Sequence, residues 1–328
     1  ANRLGTTGAH NTAIGDACMY QNDVTGSYNT GVGREALHYV IGSSNTAVGY
    51  QSLFDNTTGA NNTAVGKGAG ANITTGSSNT AIGDNALAAS TTNDNLTAVG
   101  CNALATVGTH NTSNATAVGY NALTALTTGD YNAAFGYLTM DVHTTGHYCA
   151  AFGAGALGLS TSGASNTAVG EAAMRALTTG DGNTACGAAC QDGALTGDNN
   201  TAMGYLAARA ITSGNLNTNI GYKAGLVVST ASSNTLIGAN TGDSTVTTGS
   251  NNIVIGAGSE LGGAGQESQI VIGPNIAGKG SSTGFINPNG GAMYNGQNST
   301  VWVATSDRRI KKNITDNTDG LDVINQIR

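Results

Sequence analysis

A five-residue pattern of polar, Thr, small, apolar and Gly positions returns along most of the chain. One copy is Asn62-Thr63-Ala64-Val65-Gly66. Within each copy, large and small residues alternate with a period of two, which predicts a short β-strand. Most copies lie 17 residues apart, and a short fixed period predicts a repeat architecture. The closing glycines are Gly15, Gly33, Gly49, Gly66, Gly83, Gly100, Gly119, Gly136, Gly153, Gly170, Gly187, Gly204, Gly221, Gly238, Gly256 and Gly273.

The remainder of each repeat is short and rich in turn residues. An Ala-Leu pair follows the glycine, as in Ala86-Leu87, and a Thr-Thr-Gly turn often comes next, as in Thr57-Thr58-Gly59. Seventeen residues are too few for a strand, a crossover helix and a second strand. We therefore predict an all-β fold, a repetitive parallel β-solenoid of about 17-residue coils. Each coil carries few large apolar side chains, so stability must come from stacking. The chain is expected to assemble as a trimeric fibre.

The period-two pattern also divides each strand into two faces. Thr63 and Val65 share one face, and Ala64 and Gly66 share the other. Because large β-branched residues usually fill cores, we expect Val65 and its equivalents to stack inside the rod. The smooth Ala/Gly face would then lie outside, where another backbone can approach closely. We expect the homotrimer to form through that face.

Composition excludes several classes of protein. Glycine contributes 50 of the 328 residues without a Gly-X-Y period, which excludes collagen. The only prolines, Pro274 and Pro288, follow the last repeat glycine, as expected if a parallel ladder fills the chain before them. The net charge is −7 and no basic stripe is present, so nucleic acid is not an expected partner. No apolar run reaches the length of a membrane span, and no membrane insertion is expected.

The residues that could carry cofactor or metal chemistry lack the required spacing. The five cysteines occupy repeat positions and are interpreted as small hydrophobes, with Cys186 in the inward Val position and Cys18 and Cys190 in the small Ala position. The Asp residues beside turns, such as Asp181, lack the repeat of calcium-binding β-rolls and are interpreted as turn residues. We expect no cofactor and no metal site.

Two surface patterns are candidates for binding arrays. An exposed rank of Thr can bind ice, but Thr63 shares a face with Val65 and is expected to point inward, which disfavours that function. The position after the repeat glycine holds Tyr50 in one coil and Lys67 in the next, and is expected to face solvent. A column of such aromatic residues could contact glycans. The favoured interpretation is that these residues are spread over the surface without a binding role.

The C-terminal segment differs from the repeats. Its run Ser306-Asp307-Arg308-Arg309-Ile310-Lys311-Lys312-Asn313-Ile314 concentrates charge. This run resembles the opening of the intramolecular chaperone domain of phage tail fibres and tailspikes, the peptidase S74 family, whose signature is a Ser-Asp-x-Arg-hydrophobe-Lys-x-Asn-Ile string. The repeats are also similar to those of phage fibre shafts and, more loosely, to the heads of trimeric autotransporter adhesins. The interpretation from residues alone is a solvated helix start capped by Ser306 or Asp307.

The resemblance implies a function and two site residues. It implies a structural fibre of a phage tail, located in the virion, that mediates attachment to the host surface. Its expected partners are two further copies of itself, other virion tail proteins, and a host glycan or protein receptor. The alternative is a bacterial trimeric surface adhesin. The protein is not expected to be an enzyme, apart from single-turnover autoproteolysis in which Ser306 is the nucleophile and Lys311 takes its proton.

The same features predict three regions of the chain. Residues 1–273 are expected to form the solenoid shaft and residues 274–304 a neck that contains the sole tryptophan, Trp302. Residues 305–328 are expected to begin the chaperone domain. Because the sequence ends at Arg328, before a whole domain of this family would be complete, we expect the catalytic machinery to be incomplete in this segment.

Overall fold

A computed structural model describes residues 7–20, 24–107, 114–193, 196–287, 293–295 and 303–304. The described residues contain only short β-strands and turns, and no helix. The strands are Thr12–Ile14 (β1), Thr30–Val32 (β2), Thr46–Val48 (β3), Thr63–Val65 (β4), Thr80–Ile82 (β5), Thr97–Val99 (β6), Thr116–Val118 (β7), Ala133–Phe135 (β8), Ala150–Phe152 (β9), Thr167–Val169 (β10), Thr184–Cys186 (β11), Thr201–Met203 (β12), Thr218–Ile220 (β13), Thr235–Ile237 (β14), Ile253–Ile255 (β15), Ile270–Ile272 (β16), Gly284–Ile286 (β17), Met293–Asn295 (β18) and Val303–Ala304 (β19).

The strands stack in chain order as one sheet. Each strand from β1 to β16 pairs in parallel with the next, and equivalent repeat positions face each other, as Thr46 faces Thr63 and Val48 faces Val65. After β17 the direction changes, because β18 and β19 join the sheet antiparallel. Seventeen parallel strands at about 4.8 Å spacing form a stack roughly 75 Å long. The predicted all-β, parallel β-solenoid fold is confirmed.

The repeat glycine is required by the backbone at the end of each strand. Gly66 has φ +138°, a conformation almost restricted to glycine. A Cβ atom at Gly66 would also lie 2.4 Å from the carbonyl oxygen of Gly83 in the next coil. Conformation and close stacking therefore both select glycine, which explains why this position closes every repeat.

Buried asparagines bind successive coils together. The Asn62 backbone N–H donates to Asn45 Oδ1 at 2.9 Å, and Asn62 Nδ2 donates to the Gly76 carbonyl at 2.8 Å. The same pair of bonds recurs in many coils, so each side-chain amide joins two neighbouring turns of the rod. Asn62 is fully buried. Because its polar atoms are bonded, the amide can lie in the core without the cost of an unpaired polar group.

The structure shows that our prediction for the two strand faces was wrong. Ala64 is fully buried, whereas 38% of Val65 is exposed. The same assignment holds along the rod, where the central residue of each strand points inward and its neighbours point outward. The interior beneath the strand is filled from the opposite wall by large side chains such as Leu53, which is also fully buried. The Ala/Gly face therefore cannot be the contact surface between chains.

In two coils a large residue at the central strand position lies opposite a glycine on the facing wall. In β14 the central strand position is Leu236, and the opposite wall, where other coils carry Leu, has Gly242. A Cβ atom on Gly242 would lie 3.0 Å from Leu236 Cδ1. In β13 the buried Asn219 faces Gly225 in the same way, with Oδ1 at 2.1 Å from the Cβ position. In these two coils the larger strand residue fits because the opposite wall carries glycine where many other coils carry Leu.

Two of the cysteine assignments hold and one does not. Cys18 and Cys190 are fully buried and pack as small apolar residues, as predicted. Cys186 was predicted to point inward in the Val position, but it is exposed because that position lies on the outside. None of the five cysteines, all of which lie in the described ranges, forms a disulfide within the chain.

Candidate interaction surface

The strands present two parallel columns of side chains to the outside. We name this surface the outer strand face and define it as the first and third residues of strands β1 to β17. In a typical coil these are Thr63 and Val65, both exposed. None of these strand positions carries a charged residue. The solenoid fold thus produces a neutral, half-apolar strip that runs the length of the stack.

Towards the C-terminal end the outer strand face becomes apolar in both columns. Strand β15 places Ile253 and Ile255 outward, with 39% and 36% of each residue exposed, and buries Val254 between them. Strand β16 repeats this arrangement with Ile270 and Ile272 outward. Isoleucine thus replaces threonine in the first column over two successive coils. Solvent exposure of this much apolar surface is typical of a contact surface.

Aromatic side chains interrupt the pattern near the middle of the stack. Phe135 and Phe152 replace Val in β8 and β9, and their rings stack at 4.9 Å with 5° between planes. The prediction that Val65 and its equivalents point inward would place these rings in the core, but they lie on the outer strand face. In the same part of the chain Tyr131 and Tyr148 stack at 5.4 Å, as do Tyr120 and Tyr137 at 5.5 Å. Rings that stack this way turn their planes towards neighbouring coils and their edges outward.

Charged side chains lie at the border of the outer strand face. The position after the repeat glycine is exposed at Tyr50, as predicted. In the second coil it holds Arg34, which lies 3.8 Å from Asp16 and 5.8 Å from the centre of the Tyr50 ring. Exposed pairs of this kind contribute little stability. They form a polar rim beside the neutral strip, an arrangement common to protein interfaces.

The turn acids act as hydrogen-bond acceptors between coils. Asp181 Oδ1 accepts the Ala164 backbone N–H at 2.7 Å, and Asp198 Oδ1 accepts that of Asp181 at 2.8 Å. This geometry supports their interpretation as turn residues. Within the described ranges, no cluster of His, Cys, Asp or Glu could hold a metal ion.

Glu260 closes a loop after strand β14. Its Oε1 accepts the backbone N–H groups of Asp243 and Ser244 at 2.9 and 3.1 Å, and Oε2 accepts that of Thr245 at 3.2 Å. Burial, and after it the neighbouring Asp243, raises the pKa of Glu260, while the bonds from Thr245 and Ser244 oppose this change. Because backbone groups already occupy both oxygens, Glu260 has a structural role in holding the loop.

Two further ionisable groups in the core are also structural. His143 is fully buried, and its two ring nitrogens contact Ser160 Oγ at 3.2 Å and the Gly146 carbonyl at 3.1 Å. Burial lowers the pKa of His143, which therefore favours the neutral ring. Burial also raises the pKa of the Cys190 thiol to about 12, so this thiol is an unreactive core group.

The predicted catalytic pair, Ser306 and Lys311, lies outside the described residues, and nothing is described of the Trp302 side chain. Their assigned roles therefore stay predictions. In the part of the chain that the structure describes, no helix is long and apolar enough to cross a membrane.

The fold and the outer strand face are the basis for the functional assignment. The chain matches no protein-family model and no curated protein sequence. A function is therefore argued from the length of the stack, its bonding and the surface that it presents.

Proposed function

We propose that the chain is the shaft of a phage tail fibre or tailspike, a homotrimeric structural protein of the virion tail that mediates attachment to the host surface. The observation that carries this proposal is the unbroken parallel stack from β1 to β17, which makes a rod roughly 75 Å long. Ladder bonds join successive coils, and buried amides reinforce many of these junctions. Such a rod is suited to hold a binding tip at a distance from a particle.

The residues support a structural role over catalysis of a substrate reaction. The half-buried carboxylate of Glu260 is occupied by backbone N–H groups, and the buried His143 is held by its neighbours. The partners proposed on this reading are two further copies of the chain, other tail proteins, and a glycan or protein on the host cell. The C-terminal resemblance to a self-cleaving chaperone supports the phage assignment over the bacterial adhesin.

Immunogold electron microscopy distinguishes the two assignments. Antibodies raised against the purified shaft should label the tails of phage particles in a lysate of the source culture. Labelling of the bacterial envelope in cells that carry no phage particles would contradict the phage assignment and favour the adhesin. An unrelated antibody of the same class serves as the control for non-specific binding.

Autoproteolysis at Ser306 is tested with the full-length gene product. Wild-type protein should release its C-terminal domain after assembly, whereas Ser306→Ala should assemble and keep that domain attached. Thr305→Ala removes the neighbouring hydroxyl instead and is the matched control, which should release the domain as wild type does. Mass spectrometry of the products measures the cleavage. Equal release from Ser306→Ala and wild type would remove Ser306 from the mechanism.

A second candidate function follows from the corrected strand faces. Ice binding was disfavoured because Thr was expected to point inward, but Thr63 and Thr167 are exposed in a regular column. A flat rank of hydroxyl and methyl groups at about 4.8 Å spacing could order water at its surface. Thermal hysteresis of the purified protein tests this function. Freezing and melting points that coincide would exclude it.

A further inference from the structure

We infer that copies of this chain pack against one another through the outer strand face, with its Thr and Val/Ile columns buried between them. This inference rests on the proposed trimeric fibre and identifies the surface that forms it. The outer strand face takes the place of the Ala/Gly face as the expected contact surface, because central strand residues such as Ala64 are fully buried within a single chain.

The apolar area of the outer strand face is large enough for a stable interface. Val48, Val65 and Ile82 are 37–39% exposed. A fully exposed side chain of this size offers roughly 60–120 Å² at the usual burial coefficient. The third strand residue is less exposed in some other coils, so two-fifths of that area over about sixteen coils gives an upper value of roughly 400–800 Å² per chain from one column, before the Thr methyl groups are added. A standard interface buries about 800 Å² per partner, and monomers rarely expose a single patch of this size.

The distribution of charge favours another copy of the chain as the partner. The chain has a net charge of −7, so a partner held by charge would need a basic surface. That surface would in turn need acidic residues on the outer strand face. The outer strand face offers none, since no charged residue lies in its columns. A second copy presents the same neutral strip at the same coil spacing. Parallel copies can therefore match coil for coil along the whole length.

The two ends of this surface differ in a way that suits assembly from the C-terminal side. Most coils pair a Thr with a Val or Ile, but β15 and β16 present Ile253, Ile255, Ile270 and Ile272. Burial of these side chains should contribute most per coil. A periodic face alone could pair after a slip of one whole coil. A distinct apolar end gives the copies a place at which the correct register is favoured.

The aromatic residues favour a protein partner over a glycan. Sugars bind to the planes of aromatic rings, but Phe135 and Phe152 stack plane to plane, as do Tyr131 and Tyr148. Their outward edges are suited to insertion between side chains of a neighbouring copy. Aromatic residues near the centre of a neutral strip are also the composition found at the centre of protein interfaces.

The experiment compares two triple variants of the chain by light scattering. The face variant carries Val48→Lys, Ile82→Lys and Val169→Lys, and the control variant carries Thr58→Lys, Thr128→Lys and Ser162→Lys in exposed turns. Both add three charges, and the face substitutions avoid neighbouring coils so that the new charges do not repel each other strongly. Far-UV circular dichroism verifies that both variants keep their β-structure. We expect the face variant to have one third of the wild-type mass and the control variant to keep the wild-type mass.

An exposed native cysteine gives a second measurement that needs no further substitution. Cys186 lies on the outer strand face, whereas Cys18 and Cys190 are buried within the chain. If the face is covered, alkylation of Cys186 in assembled wild type should be at least about tenfold slower than in the face variant, because labelling requires the interface to open. Peptide mass spectrometry measures labelling at this site alone.

The outcomes separate this inference from the proposed function. A trimeric wild type together with a trimeric face variant and rapid Cys186 labelling would overturn the inference and leave the fibre proposal in place. A monomeric wild type would overturn both the face contact and the trimer. The inference is supported if wild type and the control variant are trimeric, the face variant is monomeric, and Cys186 is labelled slowly in wild type.

Discussion

Replacement of the repeat glycine Gly66 by alanine should be among the most damaging single changes in the rod. At φ +138° a residue with a Cβ atom incurs a conformational cost of about 1–3 kcal/mol. The new atom would also lie 2.4 Å from the Gly83 carbonyl oxygen and 2.7 Å from its carbon. Backbone must move to relieve this contact, and overpacking of this kind costs about 1–3 kcal/mol more. The total expected loss is roughly 2–6 kcal/mol.

Gly68, two residues away, provides the matched control. Its φ is +64°, and the backbone of ordinary residues adopts this conformation at the same repeat position, as at Asn85 with φ +54°. A Cβ atom there would meet only the side chain of Asn85, at 2.6 Å. Gly68→Ala should therefore change the free energy of unfolding by no more than about 1 kcal/mol, since left-handed strain and reduced chain entropy oppose each other.

Thermal unfolding followed by circular dichroism compares the two variants. Hydrogen exchange of peptides that span residues 63–83 then locates the damage, because a solenoid loses stability first at the disrupted coil interface. Gly66→Ala should lower the melting temperature clearly more than Gly68→Ala and should speed exchange in that segment. If Gly68→Ala were as harmful as Gly66→Ala, the explanation of the repeat glycine by coil-to-coil contact would be refuted.

Three further predictions test the interior. Ala64→Asp should cost on the order of 3–5 kcal/mol of unfolding free energy by burying an unpaired charge, whereas Val65→Asp should cost less than about 1 kcal/mol in dissociated chains. Urea unfolding at low protein concentration measures both values. A larger loss for Val65→Asp than for Ala64→Asp would contradict the face assignment. Asn219→Leu keeps the side-chain volume opposite Gly225 and copies Leu236 of the next coil. It should stabilise the chain by about 1 kcal/mol, because neither amide atom of the buried Asn219 has a hydrogen-bond partner, and an unchanged or lower melting temperature would count against this explanation. Because the pKa of His143 is lowered in the folded chain, its contribution to stability is complete above the unfolded pKa of about 6.5 and is lost as the pH falls towards the lower folded value. His143→Leu copies Leu126, which holds the same repeat position in the preceding coil. The melting temperature of this variant should therefore depend less on pH than that of wild type between about pH 7 and pH 5.

The period and the alternation of the sequence are sufficient to predict the fold. Every strand from β1 to β16 lies immediately before a repeat glycine, where the pattern placed it. The two faces of each strand were also separated correctly, because alternation of side chains is a property of any strand. These features depend on local backbone geometry and are therefore visible in one repeat.

Which face points inward depends on the opposite wall of the coil, and alternation cannot show it. The preference of Val for cores suggested that Val65 is buried, but Leu53 and its equivalents already fill the space beneath the strand. The sequence does carry a signal for the inward face, since a large residue on the strand wall can coincide with a small residue on the opposite wall. Where the strand carries Leu236, the position that holds Leu elsewhere is Gly242. Recognition of that exchange would have placed the central strand residue inside.

The candidate surface could not be predicted either, because alternation does not show which strand face points outward. Phe135 and Phe152 occupy the Val position of β8 and β9, so the wrong prediction for Val65 and its equivalents applies to these rings as well. Their role in an outward aromatic stack becomes visible only when neighbouring coils are superposed. The motif that carries Ser306 and Lys311 lies outside the described residues, so its role stays a prediction from resemblance.

Small-angle X-ray scattering of the purified chain tests the central claim, a solenoid rod that associates laterally through its outer strand face. One profile gives both molar mass and shape. The account predicts three times 32.4 kDa, with the parallel stack from β1 to β17 contributing roughly 75 Å to the length of the particle at every concentration measured. A mass of 32.4 kDa would contradict lateral association, and a trimeric mass with twice the length or more would show end-to-end contact instead.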